Sequence, residues 1–214
     1  MNYQKILDET IKEIQLNNRI PKLLIHSCCA PCSSYCLEYL SQFFEITVLY
    51  YNPNIFPKEE YMYRMDEQRR FIENFPAKHP IKLIETAYTP EDFYAISKGY
   101  ENEPEGGLRC LRCFKLRLEY TAKVAKEMGM DYFTTTLSIS PLKDASSLNS
   151  IGQSISELYE VPYLLSDFKK RNGYKRSVEL SKEYDMYRQN FCGCVYSMRE
   201  AKEREKPQIN NRNV

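Results

Sequence analysis

The sequence predicts an α/β fold in which a mostly parallel sheet is flanked by helices. Five short apolar segments have the length and composition of strands, and helical segments separate them along the chain. Strands that alternate with helices at this spacing form βαβ units, whose strands pair in parallel. After residue 166 the sequence becomes polar and basic, so the C-terminal part is predicted to be mainly helical.

The predicted strands are apolar runs bounded by polar or turn-forming residues. In chain order they are 23–27, 45–52, 81–85, 131–138 and 161–165. The helix assignment rests on apolar residues that recur on one face, as Leu7, Ile11 and Ile14 do. The predicted helices are 3–17, 33–42, 58–75, 90–98, 110–128, 144–160 and 176–187.

Length and composition limit the class of protein. A chain of 214 residues with 43% hydrophobic content can bury one core, so we expect a single domain over 1–204 and a disordered tail over 205–214. The net charge of +1 implies that any polyanion site is a local patch. The N-terminal residues do not resemble a signal peptide, and no apolar run approaches the length of a membrane span. We therefore expect a cytoplasmic protein that does not enter a membrane.

Eight cysteines in a cytoplasmic chain indicate metal or redox chemistry, because that compartment keeps thiols reduced. The first group follows a predicted strand, where open α/β sheets bind ligands. The second begins a predicted helix, whose N-terminus and neighbouring arginines favour thiolates. The three groups are Cys28, Cys29 and Cys32 with Cys36 one turn later, then Cys110 and Cys113, and finally Cys192 and Cys194. Cys36 is the one that we expect to be simply buried.

An adjacent cysteine pair and a CxxC together supply the four thiolates that an iron–sulfur cluster requires. These are Cys28, Cys29, Cys110 and Cys113. Structural zinc is the competing interpretation, although an adjacent pair on a sheet loop is a poor zinc knuckle. The third group has two interpretations, a metal-binding pair with Cys32 as a further ligand or a pair that cycles between dithiol and disulfide.

Together these motifs make the sequence resemble the cobalamin-independent, QueH-type epoxyqueuosine reductases. The matching segments are LLIHSCCAPCSS, YYNPNIFPKEEY, GGLRCLRCFKLRLEYTAKVAKE, FTTTLSISPLKD and NFCGC, which span residues 23–194. The resemblance implies a Rossmann-like fold, shared with the adenine-nucleotide α-hydrolase (HUP-like) proteins. It also implies reduction of epoxyqueuosine to queuosine at the wobble position of tRNA.

Carried over by position, the resemblance assigns a [4Fe-4S] cluster to Cys28, Cys29, Cys110 and Cys113. It assigns Cys192 and Cys194 to a redox-active disulfide or to a mononuclear iron beside the cluster, with Cys32 as a further iron ligand. No GxGxxG follows a predicted strand, so electrons would pass through metal or thiols, from a donor that the sequence does not name. Two alternatives stay open, an iron–sulfur tRNA thiolation enzyme and a zinc-stabilised RNA-binding module. Against thiolation, HSCCAPCSS stands where a pyrophosphate loop is expected.

The tRNA site is less evident than the cysteine site. A basic segment could hold anticodon-loop phosphates, although a solvated basic face explains it equally well. Its cations are Lys169, Lys170, Arg171, Lys175 and Arg176.

Several other polar residues follow predicted strands. We expect His26 to be a packed side chain. Asn52, Asn54, Tyr61 and Arg64 are candidates for the pocket wall, with capping or packing as the alternative.

Overall fold

The computed structural model describes residues 1–205, in which four strands form one parallel sheet in the order β3-β2-β1-β4. The predicted parallel α/β architecture is therefore confirmed. The register pairs Ile25 with Val48 on one side and with Thr134 on the other. The strands are β1 (Lys22–His26), β2 (Glu45–Tyr50), β3 (Lys82–Glu85) and β4 (Tyr132–Thr135).

Eight α-helices flank the sheet in the described part of the chain. None of these helices is long and apolar enough to cross a membrane. They are α1 (Tyr3–Leu16), α2 (Ala30–Leu40), α3 (Lys58–Asn74), α4 (Pro90–Ser97), α5 (Leu108–Glu127), α6 (Ala145–Tyr159), α7 (Gly173–Glu183) and α8 (Val195–Glu205).

The two faces of the sheet bury separate apolar cores. Because side chains alternate along a strand, Leu23 and Ile25 of β1 pack with α1 and α2, whereas Leu24 packs with α5. The predicted apolar face of α5 is buried in this second core and comprises Phe114, Leu118, Ala122 and Ala125. Burial of both faces explains why the two central strands, β1 and β2, are mostly apolar.

The strand order places a crevice beyond the carboxyl ends of β1 and β4. From β1 the chain continues to β2 on one side, and β4 joins β1 on the other side. Ligands of open α/β sheets bind at such a reversal of strand order. The loops that leave β1 and β4 here carry the first cysteine group and the segment that ends at Asp144.

The prediction of a fifth strand over 161–165 is wrong, because this segment forms only an isolated bridge to β4. Phe133 donates to Pro162 and accepts from Leu164, but pairing stops there. The hydroxyl of Thr134 and the amide of Asn149 take up the next backbone groups, at Leu164 and Ser166. Side-chain hydrogen bonds thus replace the ladder that a strand would need.

Further boundaries differ from the prediction, and α2 begins at Ala30, three residues before its predicted start at 33. The predicted strand over 131–138 ends at Thr135, whose hydroxyl caps a 3₁₀ turn over Thr136–Ile139. The predicted helix over 176–187 is α7, displaced towards the N-terminus, and the left-handed residue Asp185 follows its end. Helix α8 was not predicted, and it reaches one residue into the predicted tail. The rest of that tail, 206–214, lies outside the described residues.

Candidate active site

The first cysteine group forms a compact sulfur triad at the carboxyl end of β1. Cys28 and Cys29 lie between β1 and α2, and their Sγ atoms are 3.7 Å apart. The sulfurs of Cys28, Cys29 and Cys32 all lie within 4.8 Å of one another, so the triad has a geometry that could hold a metal ion. Cys36 is fully buried and its thiol faces the Cys32 carbonyl, as expected for a packed residue.

Buried amides fix the loop that carries the triad. The hydroxyls of Ser27 and Ser33 both donate to Gln68 Oε1, at 2.7 and 2.9 Å. Asn52 Nδ2 donates to the Ser27 carbonyl at 2.8 Å, so the end of β2 is tied to the end of β1. All four side chains are buried, and hydrogen bonds in such surroundings are strong and specify one conformation.

His26 is a packed residue, as expected. It is fully buried, and Nε2 donates to the Tyr51 carbonyl at 3.1 Å, which leaves Nδ1 to accept from the Thr135 hydroxyl at 3.0 Å. Burial, reinforced by the charge of Arg117, lowers the pKa of His26 to about 3. The imidazole is therefore neutral at physiological pH and joins the ends of β1, β2 and β4.

Within the triad, the three thiols do not ionise alike. Hydrogen bonds from Cys28 and Cys32 lower the pKa of Cys29. Gln189 Nε2, which donates to Cys29 Sγ at 3.0 Å, and the charge of Arg64 act in the same direction. Cys29 is therefore the most readily ionised of the three thiols.

The second cysteine group lies in the first turn of α5. Gly106, at a φ of 89°, donates its backbone N–H to Cys110 Sγ at 3.2 Å. Cys113 lies one turn further on and is buried, and burial raises its pKa to about 12. The neighbouring Arg109 points back into the preceding loop, where it donates to the carbonyls of Tyr100 and Glu101.

The third cysteine group lies just before α8, on a turn that depends on glycine. Gly193 has a φ of 120°, and a Cβ there would lie 3.0 Å from Nη1 of Arg64. Arg64 Nη1 donates to the Cys192 carbonyl at 3.2 Å, so α3 holds this turn. Cys194 is buried and its sulfur contacts Ser197 in α8.

Two cavities meet at Cys192. The larger, called the cleft below, has a volume of about 410 Å³ and contains Cys28, Cys32 and Cys192 in its wall. The small cavity has about 20 Å³ and is lined by the second and third cysteine groups. Because Cys192 lines both, the third cysteine group borders the cleft that holds the first group and the small cavity that holds the second. Among the described residues, only Cys28, Cys29 and Cys32 lie close enough together to hold one metal ion.

Two cations that sequence reasoning did not single out stand among these sulfurs. Arg117 of α5 lines the small cavity, and Lys143 lines the cleft. Burial lowers the pKa of Lys143, but the thiols of Cys192 and Cys28 more than offset this and raise it above its usual value. Both residues lie within the matching segments of the sequence, but only the tertiary contacts distinguish them from other cations.

The structure gives the polar residues that follow β2 different surroundings. Tyr61 packs against Tyr50 and donates to the Thr86 carbonyl, so it belongs to the core. Asn54 does line the small cavity, and its buried Oδ1 has no hydrogen-bond partner among the described residues. Arg64 lies against the third cysteine group, as described above.

Most cations of the basic segment contact other parts of the protein. Lys169 Nζ donates to the carbonyls of Ser138 and Lys143 at 3.0 and 3.2 Å. Arg171 pairs with Asp8, and Arg176 pairs with Glu38 and Glu183. Lys170 and Lys175 are exposed and form no ion pair within residues 1–204.

Comparison with known proteins identifies the family. The model of the family described as "Epoxyqueuosine reductase QueH" matches residues 23–200. The chain is 45% identical to the epoxyqueuosine reductase QueH of Staphylococcus epidermidis over 92% of this chain and 84% of that protein. It is 36% identical to the protein of that name from Thermotoga maritima, over 85% of this chain and 93% of the relative. This chain therefore belongs to the epoxyqueuosine reductase QueH family and is an oxidoreductase.

Proposed function

We propose that this protein reduces epoxyqueuosine to queuosine at the wobble position of tRNA, with a [4Fe-4S] cluster and either a second iron or a redox-active cysteine pair. The names of its relatives support the reaction. The observations that support the metal chemistry are the sulfur triad of the first group and the two cavities, lined by thiols of all three groups, that share Cys192 in their walls. None of the eight cysteines is in a disulfide, so all of them except the packed Cys36 are available as ligands.

The donor set of the site fits an iron–sulfur centre. Such clusters are held by cysteine thiolates. By this proposal Cys28, Cys29, Cys110 and Cys113 hold the cluster, and Cys32 joins Cys192 and Cys194 at the second iron. When bound, the cluster would pass electrons and the iron would polarise the epoxide oxygen as a Lewis acid.

The sulfur triad supports a second way of assigning the cysteines to the cluster and to the second iron. Because Cys32 lies within 4.8 Å of both Cys28 and Cys29, these three thiolates could serve one metal together. A Cys32→Ala variant distinguishes the two assignments of Cys32. It keeps the cluster absorbance if Cys32 binds only the second iron, and it loses that absorbance if the triad holds the cluster.

The cleft has the size and the lining that a modified base requires. Its volume of about 410 Å³ lies within the range of small-ligand pockets. Tyr174 lines it with a ring that is 41% exposed, and an unstacked RNA base can stack on such a ring. Gln189 also lines the cleft, and its buried Oε1 has no partner within residues 1–205, so it is available to accept a hydrogen bond from the base.

Lys143 provides the positive charge that epoxide opening requires. The net reaction takes up two electrons and two protons and releases the oxygen as water. As a C–O bond breaks, negative charge develops on the oxygen, and a fixed ammonium group in the wall of the cleft stabilises it. Lys169 holds the backbone at Ser138 and Lys143, so it positions the loop that carries this ammonium.

The decisive test is anaerobic purification followed by quantification of iron, acid-labile sulfide and zinc, with turnover assayed on tRNA that carries epoxyqueuosine. We expect iron, sulfide and formation of queuosine. A Cys110→Ala variant should lose the cluster absorbance and the activity together. A matched Cys36→Ala variant should keep both, because that thiol is packed away from the triad.

Three results would contradict the proposal. Zinc without sulfide would indicate the zinc-stabilised RNA-binding module. Sulfur transfer to tRNA with consumption of ATP would indicate a thiolation enzyme. Full activity in Cys110→Ala would remove the second cysteine group from the metal centre.

A further inference from the structure

Arg117 is a buried cation in the wall of the small cavity. Its side chain is 1% exposed, and Nε donates to the Cys113 carbonyl at 3.3 Å. Its Nη1 is buried and has no hydrogen-bond partner among the described residues. A guanidinium group in this position has lost its hydration without a complete set of replacements.

The other two fully buried arginines show what is missing. Nη2 of Arg64 lies 2.6 Å from Oε1 of Glu60, and Nη2 of Arg109 lies 3.5 Å from Oε1 of Glu200. Each of these arginines therefore has a carboxylate as counter-charge. Arg117 forms no ion pair with any carboxylate within residues 1–204, and its charged neighbours there are thiols. Because a buried charge without a counter-charge is strongly destabilising, its compensation must come from another kind of group.

The groups near Arg117 that become anionic when they bind a metal are thiols, and four of them line the small cavity with it: Cys110, Cys113, Cys192 and Cys194. Burial lowers the pKa of Arg117, but the thiols of Cys113, Cys192, Cys28 and Cys110 more than offset this and raise it. The charge of Arg117 thus interacts with thiols that are far apart in sequence. Each of these four cysteines is a proposed metal ligand.

We propose that Arg117 is a positioning residue of the metal centre, whose guanidinium is the fixed counter-charge of the thiolate-bound cluster and sets its reduction potential. This inference rests on the proposed function. Four thiolates give a [4Fe-4S] cluster a net negative charge, which grows by one when the cluster is reduced. A nearby buried cation stabilises the more negative state, and so it raises the potential.

The inference also explains why the chain tolerates an unpaired arginine in its core. In the loaded protein the unpartnered Nη1 has an anionic centre as its neighbour. In the metal-free protein the same charge lacks that compensation, and it destabilises the fold. Arg117 should therefore couple folding stability to metal loading.

The primary experiment is a redox titration of the anaerobically loaded protein, followed by absorbance and electron paramagnetic resonance. We expect Arg117→Gln to shift the midpoint potential of the cluster to a more negative value. Arg117→Lys keeps the charge and should leave the potential close to that of wild type. The matched control is Lys123→Gln, which removes a positive charge from an exposed site on the same helix, away from the cysteines. Solvent screens that charge, so its loss should leave the potential unchanged.

A second measurement does not depend on activity or on the potential. In the metal-free protein, Arg117→Met should raise the thermal midpoint Tm by at least about 2 °C, since an apolar side chain replaces an uncompensated charge. In the loaded protein the same substitution should lower the Tm. This reversal of sign is not expected of a residue that only fills space.

The outcomes separate this inference from the proposed function. Wild-type protein that assembles no iron and sulfide overturns both. A wild-type cluster whose potential is the same in Arg117→Gln overturns the role of Arg117 and leaves the proposed function standing. If both polar variants fail to assemble a cluster, the metal-free comparison decides, and an Arg117→Met protein that is less stable than wild type, or unfolded, overturns the inference.

Discussion

The positive charges of the cysteine site and those of the basic segment are arranged in opposite ways. At the site, Arg117 is buried without a carboxylate, and Lys143 stands among thiols. In the basic segment, Arg171 and Arg176 are bound to carboxylates of other helices, and Lys169 is bound to backbone carbonyls. The cations of the site form no ion pair with a carboxylate of residues 1–204, whereas most cations of the basic segment bind other parts of the protein.

This difference shows that a cluster of cations in sequence is a poor measure of the charge available to a ligand. Paired cations attract a polyanion weakly, because their carboxylate partners cancel the field. In the basic segment only Lys170 and Lys175 are exposed and free of ion pairs within the described chain. Variants at Cys192, at Lys143 and in the basic segment test this difference.

The largest effect is expected from Cys192, which lies where the cleft and the small cavity meet. Cys192→Ser should leave the cluster absorbance intact and reduce turnover by at least about 10³-fold, because loss of an iron ligand or a redox thiol removes several kcal/mol of transition-state stabilisation. Single-turnover assays on epoxyqueuosine-containing tRNA, together with absorbance spectra, measure both quantities. Normal turnover in this variant would exclude the third cysteine group from the mechanism.

A smaller effect is expected at Lys143. Lys143→Met should lower kcat by about 10²-fold with little change in KM, because its charge acts mainly on the oxygen that leaves. Lys143→Arg keeps the charge and should retain activity within about tenfold of wild type. Lys123→Met, on the exposed face of α5, is the matched control. A raised KM with unchanged kcat would instead indicate that Lys143 only binds the substrate.

The smallest effect is expected in the basic segment. The double variant Lys170→Gln and Lys175→Gln should flatten the dependence of log K on log salt by about 1.4 to 1.8, the sum for two lost phosphate contacts. Titration of labelled tRNA at several salt concentrations measures this slope. The kcat at saturating tRNA should not change.

The paired cations provide the contrast. Arg171→Gln should reduce the stability of the protein more than it changes the salt slope, because its partner is Asp8 rather than a phosphate. If Arg171→Gln flattened the slope as much as the double variant, the distinction between paired and free cations would not hold. A slope unchanged by either variant would place the tRNA on another surface.

The fold was largely predictable, since four of the five predicted strands form the sheet. The exception, 161–165, has the composition of a strand, but its backbone pairs with β4 only at Phe133, and the side chains of Thr134 and Asn149 bind the backbone at Leu164 and Ser166. The cysteine groups were equally evident, because their spacing is local. The sequence placed Cys28, Cys29 and Cys32 in one group but assigned Cys32 to a separate iron. That the three could hold one metal was not predicted, since the closeness of their sulfurs depends on the turn between β1 and α2.

By itself the sequence determined the alternation of strands and helices, the three cysteine groups and the family resemblance, because each is written in residues that are neighbours along the chain. The tertiary structure alone decided which charges are free. Asp8 lies far from Arg171 in sequence but neutralises it in space, whereas no carboxylate in the described residues reaches Arg117. Electrostatic compensation depends on distance and burial, and only the packed chain specifies either of them.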